Sequence, residues 1–455
     1  MISAVTRQAP TIIATTRRCL SSQLPVYKFS VSSQHLDTVK ATLPLVAEAG
    51  TDFTKHFYTR MFKAHPELLN LFNQTNQKLG SQPKKLLKTV AIAAQAAIET
   101  GELPGEAIEG ICHKHAALLI SPESYAIVGE HILGTIEDLL TTDAQVLAAW
   151  GALYGDIASV FQAREKQLTD EMANTPGGWK GRRKFELVEK EPMGDVISRF
   201  KFVPTDGGPT PLFKPGKFTT IWAKVDADGP YDHYTEQPRH YTLALARKKS
   251  ENDLNKSLSI STKKEGLVST LLHEAPLGST FDLSAPFGCF DLTGVEQMWL
   301  SDPETPIVFI SAGVGITPVL AMLENIYVSR PASWLHASRN GNVHAYRDRL
   351  REISAVRSGD LQRRVWYSDP SVEDGAPGGK EAKNSSMYNL AKYHFAGRMD
   401  LPSAEKTELD PDILHLNNPT TQYYVCGPPG FMKAQMEGLA SLGVDKSRIH
   451  YEGFG

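Results

Sequence analysis

The hydrophobic pattern changes its period twice along this chain, and a change of period means a change of architecture. From about Ser33 to Met172, apolar residues recur at steps of three and four, as in "TDFTKHFYTRMF", "PKKLLKTVAIAAQAAIE" and "VLAAWGALYGDIASVFQ". The boundaries carry helix signals. Thr142-x-x-Gln145 reads as a capping box, and Ser121-Pro122 sets a cap residue before a first-turn proline. No strand-like alternation interrupts the segment, so an all-α domain is predicted over 33–174. "TPGGWKGRR", 175–183, is a turn-rich break. Beyond it "DVISRFKF", "KFTTIWAKV", "RHYTLALA" and "KSLSISTKK" are strand-like, with one helix candidate, "VSTLLHEA". That texture predicts a small antiparallel β-barrel over 181–300. From Pro303 onward strand and helix patterns take turns, from "TPIVFIS" and "PVLAMLENIYV" to "QYYVCG" and "GFMKAQMEGLA". This order predicts an α/β domain over 303–455, with a parallel sheet and crossover helices.

A chain of 455 residues is too long for one core, which agrees with three domains. The net charge of −3, without a block of like charges, argues against a nucleic-acid partner. No apolar run approaches the ~20 residues needed to span a bilayer. Four cysteines without a CxxC pair suggest neither a disulfide framework nor a zinc site. Residues 1–32 differ: Arg7, Arg17, Arg18 and Lys28 stand among many serines and threonines, with no acid before Asp37. That is the composition of a mitochondrial presequence, and the apolar stretch around Ile12 is too short for a secretory core. A mitochondrial address is therefore expected.

"GICHKHAALLI", 110–120, places two histidines two positions apart in a helical pattern, so they point to opposite sides. Ile108, Ile111, His115, Leu118 and Leu119 share the apolar stripe, while His113 falls with Glu109 on the solvent side. A lone histidine on an apolar face is ordinarily a satisfied core residue. At the other end, "FISAGVGITP", 309–318, runs a buried strand into Gly313-Val314-Gly315, then Thr317 and a helix begun by Pro318. Such a turn lets backbone approach a pyrophosphate at a helix N-terminus. "VCGPPGFM", 425–432, ends a later strand with Cys426 and Gly427, where ligands of open α/β sheets sit.

With "RHYTL", 239–243, and "KKEGLVSTLL", 263–272, these motifs resemble the ferredoxin–NADP reductase superfamily over 181–455. The resemblance implies FAD on the barrel, with Arg239 at its pyrophosphate, Tyr241 packed on the isoalloxazine and Thr242 hydrogen-bonded to the ring. Gly266, Val268 and Ser269 would bring backbone N–H groups to the phosphates, and Glu452 and Phe454 would reach the flavin. Cys426 would lie beside the nicotinamide. After the second α/β strand, Ser338 and Arg339 stand where an acid would meet a ribose hydroxyl. NADPH is therefore expected to serve at least as well as NADH.

A reductase half needs an electron acceptor, and a helical domain with one histidine on its apolar face suits haem. The helical segment resembles the globin of flavohaemoglobins, and the likeness then spans the chain from about residue 33. On "KHAALL" it implies His115 as the axial ligand of haem b. On "SPESYAIVGEHIL" and "FQAREK" it implies Tyr125 and Glu165 as hydrogen-bonding partners of that histidine. On "KHFYTRMFKAHPEL" and "SQPKKLLKTV" it implies Tyr58, Gln82 and Leu86 on the oxygen-binding side. Lys217, Phe218, Ile316 and Gly453 depart from residues frequent in relatives. The resemblance implies a monomeric nitric oxide dioxygenase, converting NO and O2 to nitrate with electrons from NAD(P)H through FAD. Two other readings share the pocket: a haem-based O2 or NO binder or sensor with a reductase attached, and a reductase of NO or peroxide.

Overall fold

The structure, a computed structural model, describes residues 24–72, 81–225, 235–244, 256–292, 304–326, 329–357, 361–377, 392–402 and 413–453. The first part packs helices α1 (Ser33–Ala64), α2 (Ser81–Thr100), α3 (Gly105–Leu118), α4 (Pro122–Leu139) and α5 (Ala144–Asn174) around one core. Ser32 starts α1 by accepting the His35 N–H, and Gly50, at φ 43°, kinks the helix. Ser121 stands at the N-cap position of α4 with Pro122 in its first turn, although its side chain makes no capping hydrogen bond. The cap of α5 is Asp143 rather than Thr142: its carboxylate accepts the Gln145 N–H at 2.8 Å, while Thr141 accepts the Asp143 N–H. A strand pair, Val26–Lys28 with Glu102–Pro104, also enters this part. Three-residue strands are too short for alternation to reveal.

Six strands close the barrel: β3 (Arg182–Pro192), β4 (Ile197–Pro204), β5 (Phe218–Lys224), β6 (Glu236–Ala244), β7 (Leu258–Lys263) and β8 (Thr280–Ser284), counting the short pair as β1 and β2. They run antiparallel in the order β3-β4-β7-β6-β5-β8, with α6 (Leu267–Glu274) between β7 and β8 in the sequence. The final part is a parallel sheet that includes β9 (Ile307–Ala312), β10 (Ala332–Ser338), β11 (Leu361–Tyr367), β12 (Phe395–Ala396), β13 (Gln422–Gly427) and β14 (Ile449–Gly453). Its order is β12-β11-β10-β9-β13-β14, so the order reverses between β9 and β13. Their carboxyl ends form the switch-point crevice where such sheets hold ligands. Among the described residues no helix is long and apolar enough to cross a membrane. Cys112 and Cys426 are buried.

Two histidines inside the α/β part are built as neutral groups. His336 and His344 stack with centroids 4.7 Å apart, and both are buried. His336 Nδ1 meets Ser311 Oγ at 2.8 Å, and His344 Nδ1 meets the Tyr367 hydroxyl at 3.0 Å. Burial holds His336 down to about 3 and His344 well below its ordinary value. The folded values lie below the unfolded one, so the unfolded chain binds more protons as acid is added. Their stabilisation is complete above about pH 6.5 and is lost as pH falls toward the folded values. His336 should cost about 2 kcal/mol of stability between neutral pH and about pH 5, and His344 adds a loss of the same sign. Urea unfolding at the two pH values should register the loss, and it should shrink by that amount in His336→Asn. A variant with the wild-type pH dependence would contradict neutral burial.

Candidate functional site

His115 sits in the last turn of α3, facing a cavity of about 430 Å³. Its Nδ1–H lies 2.8 Å from Glu165 Oε1 on α5 and 2.9 Å from the Tyr125 hydroxyl on α4. Tyr125 donates to the same Glu165 oxygen at 2.5 Å, and Tyr154 fixes that turn by donating to the Tyr125 carbonyl at 2.7 Å. Burial, then the Glu165 carboxylate, push the Tyr125 hydroxyl well above its ordinary range, so it remains a donor. With Nδ1 protonated toward a carboxylate, His115 keeps its lone pair on Nε2. This is how a metal-binding imidazole is prepared.

Tyr58, buried in the second arm of α1, lines the same cavity with Leu86 of α2. Phe57 and Phe72 hold the Tyr58 ring edge-on, at 4.8 and 5.6 Å. The side chain of Gln82 lies outside the described residues. A largely apolar chamber with a histidine on its wall fits a flat apolar macrocycle such as haem.

The cavity continues to the barrel, where Phe218, Pro238, Arg239, His240 and Thr242 line it with Glu452 and Gly453. Thr242 Oγ1 is buried and has no hydrogen-bond partner among the described residues. An unmade buried hydrogen bond is costly, so this hydroxyl fits a polar ring edge such as that of flavin. Arg239 is steadied by its Nη1 donating to Pro238 O at 2.7 Å and to Gln237 Oε1 at 3.2 Å. Tyr241, two residues after Arg239 on β6, packs against the barrel core. At α6, Val268 is a core side chain, and Ser269 Oγ accepts the Gly266 and Glu265 N–H groups. Gly266 itself caps that helix.

At the switch point, Gly313 takes φ 53° and Thr317 donates its hydroxyl to Val314 O at 3.0 Å. Gly315 lies against β13: a Cβ there would sit 2.4 Å from the Cys426 carbonyl oxygen. Cys426 Sγ donates to the Glu452 carbonyl at 3.3 Å, and Glu452 is buried while lining the cavity. Gly427 packs on Ala312. Ser338 is buried at the end of β10, and Arg339 beside it is exposed. Phe454 lies outside the described residues. Gly315→Ala must part β9 from β13, a strain of about 1–3 kcal/mol. Flavin reduction by NAD(P)H should slow roughly tenfold or more in stopped-flow while haem content is unchanged. An unaltered rate would show that the close approach is dispensable.

His113 departs from the expected solvent face. It and Glu109 are both buried, because the barrel loop at Gly288 covers that side of α3. A histidine four residues after a glutamate on one helix face was the available signal. Pro238 and His240 were missed as lining residues, since nothing local distinguishes them from strand residues.

Models of two families match the chain: globin over residues 55–161, and oxidoreductase NAD-binding domain over residues 309–437. A flavohemoprotein of Rhizobium meliloti (strain 1021) is 37% identical over 431 residues, covering 92% of this chain and 97% of that protein. The crystal structure of a flavohemoglobin from Malassezia yamatoensis, with bound FAD and heme, is similar with a TM-score of 0.75. Identity to it is 26%, over 93% of this chain and 100% of that one. The FAD/NAD-binding domain of a nitric oxide dioxygenase from Vibrio cholerae is 29% identical, covering 60% of this chain and 98% of that one, with a TM-score of 0.46.

Proposed function

The chain belongs to the flavohemoprotein family, and on that premise we propose that it is a nitric oxide dioxygenase that uses NAD(P)H, FAD and haem. The observation that carries this reading is the single cavity joining His115 and Tyr58 to Arg239, Thr242 and Glu452. A histidine-lined chamber and a flavin-suited wall in one enclosure serve electron transfer between two cofactors better than storage of a gas. When bound, FAD would take two electrons from NAD(P)H and pass them singly to haem iron, where O2 and NO combine to nitrate.

The chain's own residues set the conditions for that chemistry. His115 would hold the iron through Nε2, while Glu165 keeps the Nδ1 proton and Tyr125 keeps the Glu165 carboxylate oriented. A carboxylate behind the ring favours electron density on the iron. Tyr58 supplies a hydroxyl to the opposite wall, and Leu86 limits room and water there. Thr242 would hydrogen-bond the flavin ring, and Arg239 would neutralise its phosphates. Under oxygen-18 gas, nitrate carrying two labelled oxygens is the expected product of NO and NADPH. Nitrous oxide, or nitrate without the label, would overturn the assignment.

Ser338 and Arg339 support acceptance of NADPH at least as readily as NADH, because an arginine suits the 2′-phosphate. Arg339→Ala should lower kcat/KM for NADPH roughly tenfold and leave NADH nearly unchanged. A wild-type preference for NADH of about tenfold or more would contradict this. The basic, acid-free composition of residues 1–32 supports a mitochondrial address. Import of a reporter fused to those residues, and failure once its arginines are replaced by glutamine, would test it.

A further inference from the structure

We propose that His113 is a positioning residue. Through Gly288 it docks helix α3, which carries His115, onto the barrel and fixes the spacing across which flavin reduces haem. The inference rests on the assignment of flavin and haem to the two ends of the cavity.

His113 is 6% exposed, and its Nδ1 accepts the Gly288 N–H at 3.1 Å across the boundary between helices and barrel. Its Nε2 lies 3.3 Å from Glu109 Oε1. Glu109 in turn takes both Arg164 Nε, at 2.8 Å, and Arg164 Nη2, at 2.6 Å. Arg164 precedes Glu165 on α5, so this chain of bonds ties together the two helices that hold His115 and its carboxylate. Burial raises the Glu109 carboxyl, but Arg164 and His113 outweigh it and bring it to about 2, so the carboxylate stays charged.

The barrel side is equally fixed. Lys217 Nζ donates to the Gly288 carbonyl and lies 3.6 Å from Asp291. Gly288 takes φ +123°, and a Cβ there would come within 2.9 Å of the Phe218 ring. Phe218 exchanges both backbone hydrogen bonds with Phe287, at 2.7 and 2.8 Å, and lines the cavity beside Thr242. The path from the His113 ring to the flavin wall is therefore one hydrogen bond and one backbone pair. Two further contacts tie α1's following turn to β6: Asn70 Oδ1 accepts the Thr235 and Glu236 N–H groups at 2.9 and 3.2 Å, and buried Gln237 donates its Nε2 to the Leu69 carbonyl at 2.9 Å. Neither reaches α3, whereas the His113 bond is buried, directional and two residues from His115 on that helix. Displacements on the order of 1 Å at a reacting site can cost about 10²-fold in rate, so a bond so placed governs more than adhesion.

Anaerobic stopped-flow on the haem- and FAD-loaded full chain separates flavin reduction by NADPH from the reduction of haem that follows. In His113→Leu the second step should slow at least about tenfold, with the first within about twofold of wild type. His113→Asn, whose Oδ1 can sit where Nδ1 sits, should return the second step to within about threefold. Hydrogen exchange of the segment around Gly288 should accelerate in His113→Leu and not in His113→Asn. Unchanged haem reduction in His113→Leu, equal slowing in both variants, or unaltered exchange would each overturn the proposal. Should His113→Leu fail to load haem, an unprotected Gly288 amide in the wild type, or slow haem reduction in His113→Asn, decides against it. Absence of flavin-to-haem transfer in the wild type itself would instead remove the dioxygenase reading.

Discussion

Replacing His115 by glycine is expected to bring NADPH-supported NO removal to the uncatalysed background, a loss on the order of 10³-fold or more. Flavin reduction by NADPH should continue at the wild-type rate, because no barrel or α/β residue of the nucleotide path touches His115 among the described contacts. The histidine is held on three sides, by Glu165, Tyr125 and the Phe161 ring at 6.1 Å, so its removal leaves a polar notch of imidazole size. Added imidazole should fill that notch and restore part of the activity. Visible spectra with and without imidazole, alongside NO-electrode rates, check both halves of this expectation. Undiminished NO removal in His115→Gly would place the reaction elsewhere.

Glu165→Gln should lower NO turnover by roughly 10–100-fold, the usual cost of losing the partner behind a metal-bound histidine. The amide is nearly isosteric, so the side chain's bulk is kept while its charge is lost. A neutral acceptor draws less on the Nδ1 proton, leaving the iron easier to reduce. The haem reduction potential should therefore rise, while KM for NADPH stays within about twofold. Tyr125→Phe should cost less than Glu165→Gln, because the 2.8 Å bond from His115 to Glu165 remains. Spectroelectrochemical titration together with steady-state kinetics measures both. An unchanged potential in Glu165→Gln would sever the carboxylate from the iron.

What could be read from the sequence depended on whether a residue's partner was local. Ile111, His115 and Leu118 of the expected stripe line the cavity and Ile108 enters the core, since helical period dictates that face of α3. Gly313 and Gly315 were legible because a turn and a close approach restrict the side chain to hydrogen. Tyr125 and Glu165 were different. Their bonds to His115 span 10 and 50 residues, and only the resemblance to flavohaemoglobins drew attention to them. His113 was misread because a polar face was taken to meet water, and the barrel that covers it begins about 70 residues later in the sequence.

Repeated small additions of NO to the air-saturated, haem- and FAD-loaded chain with excess NADPH, followed on an NO electrode, test most directly whether the two ends of the cavity act together. Electrons crossing from the flavin wall to His115's side should let every addition disappear at the same initial rate until NADPH or O2 is spent, with nitrate matching the NO consumed. One stoichiometric burst followed by a stall, with NADPH left over, would mean that the two ends do not communicate at a useful rate and that the chain binds NO rather than converting it.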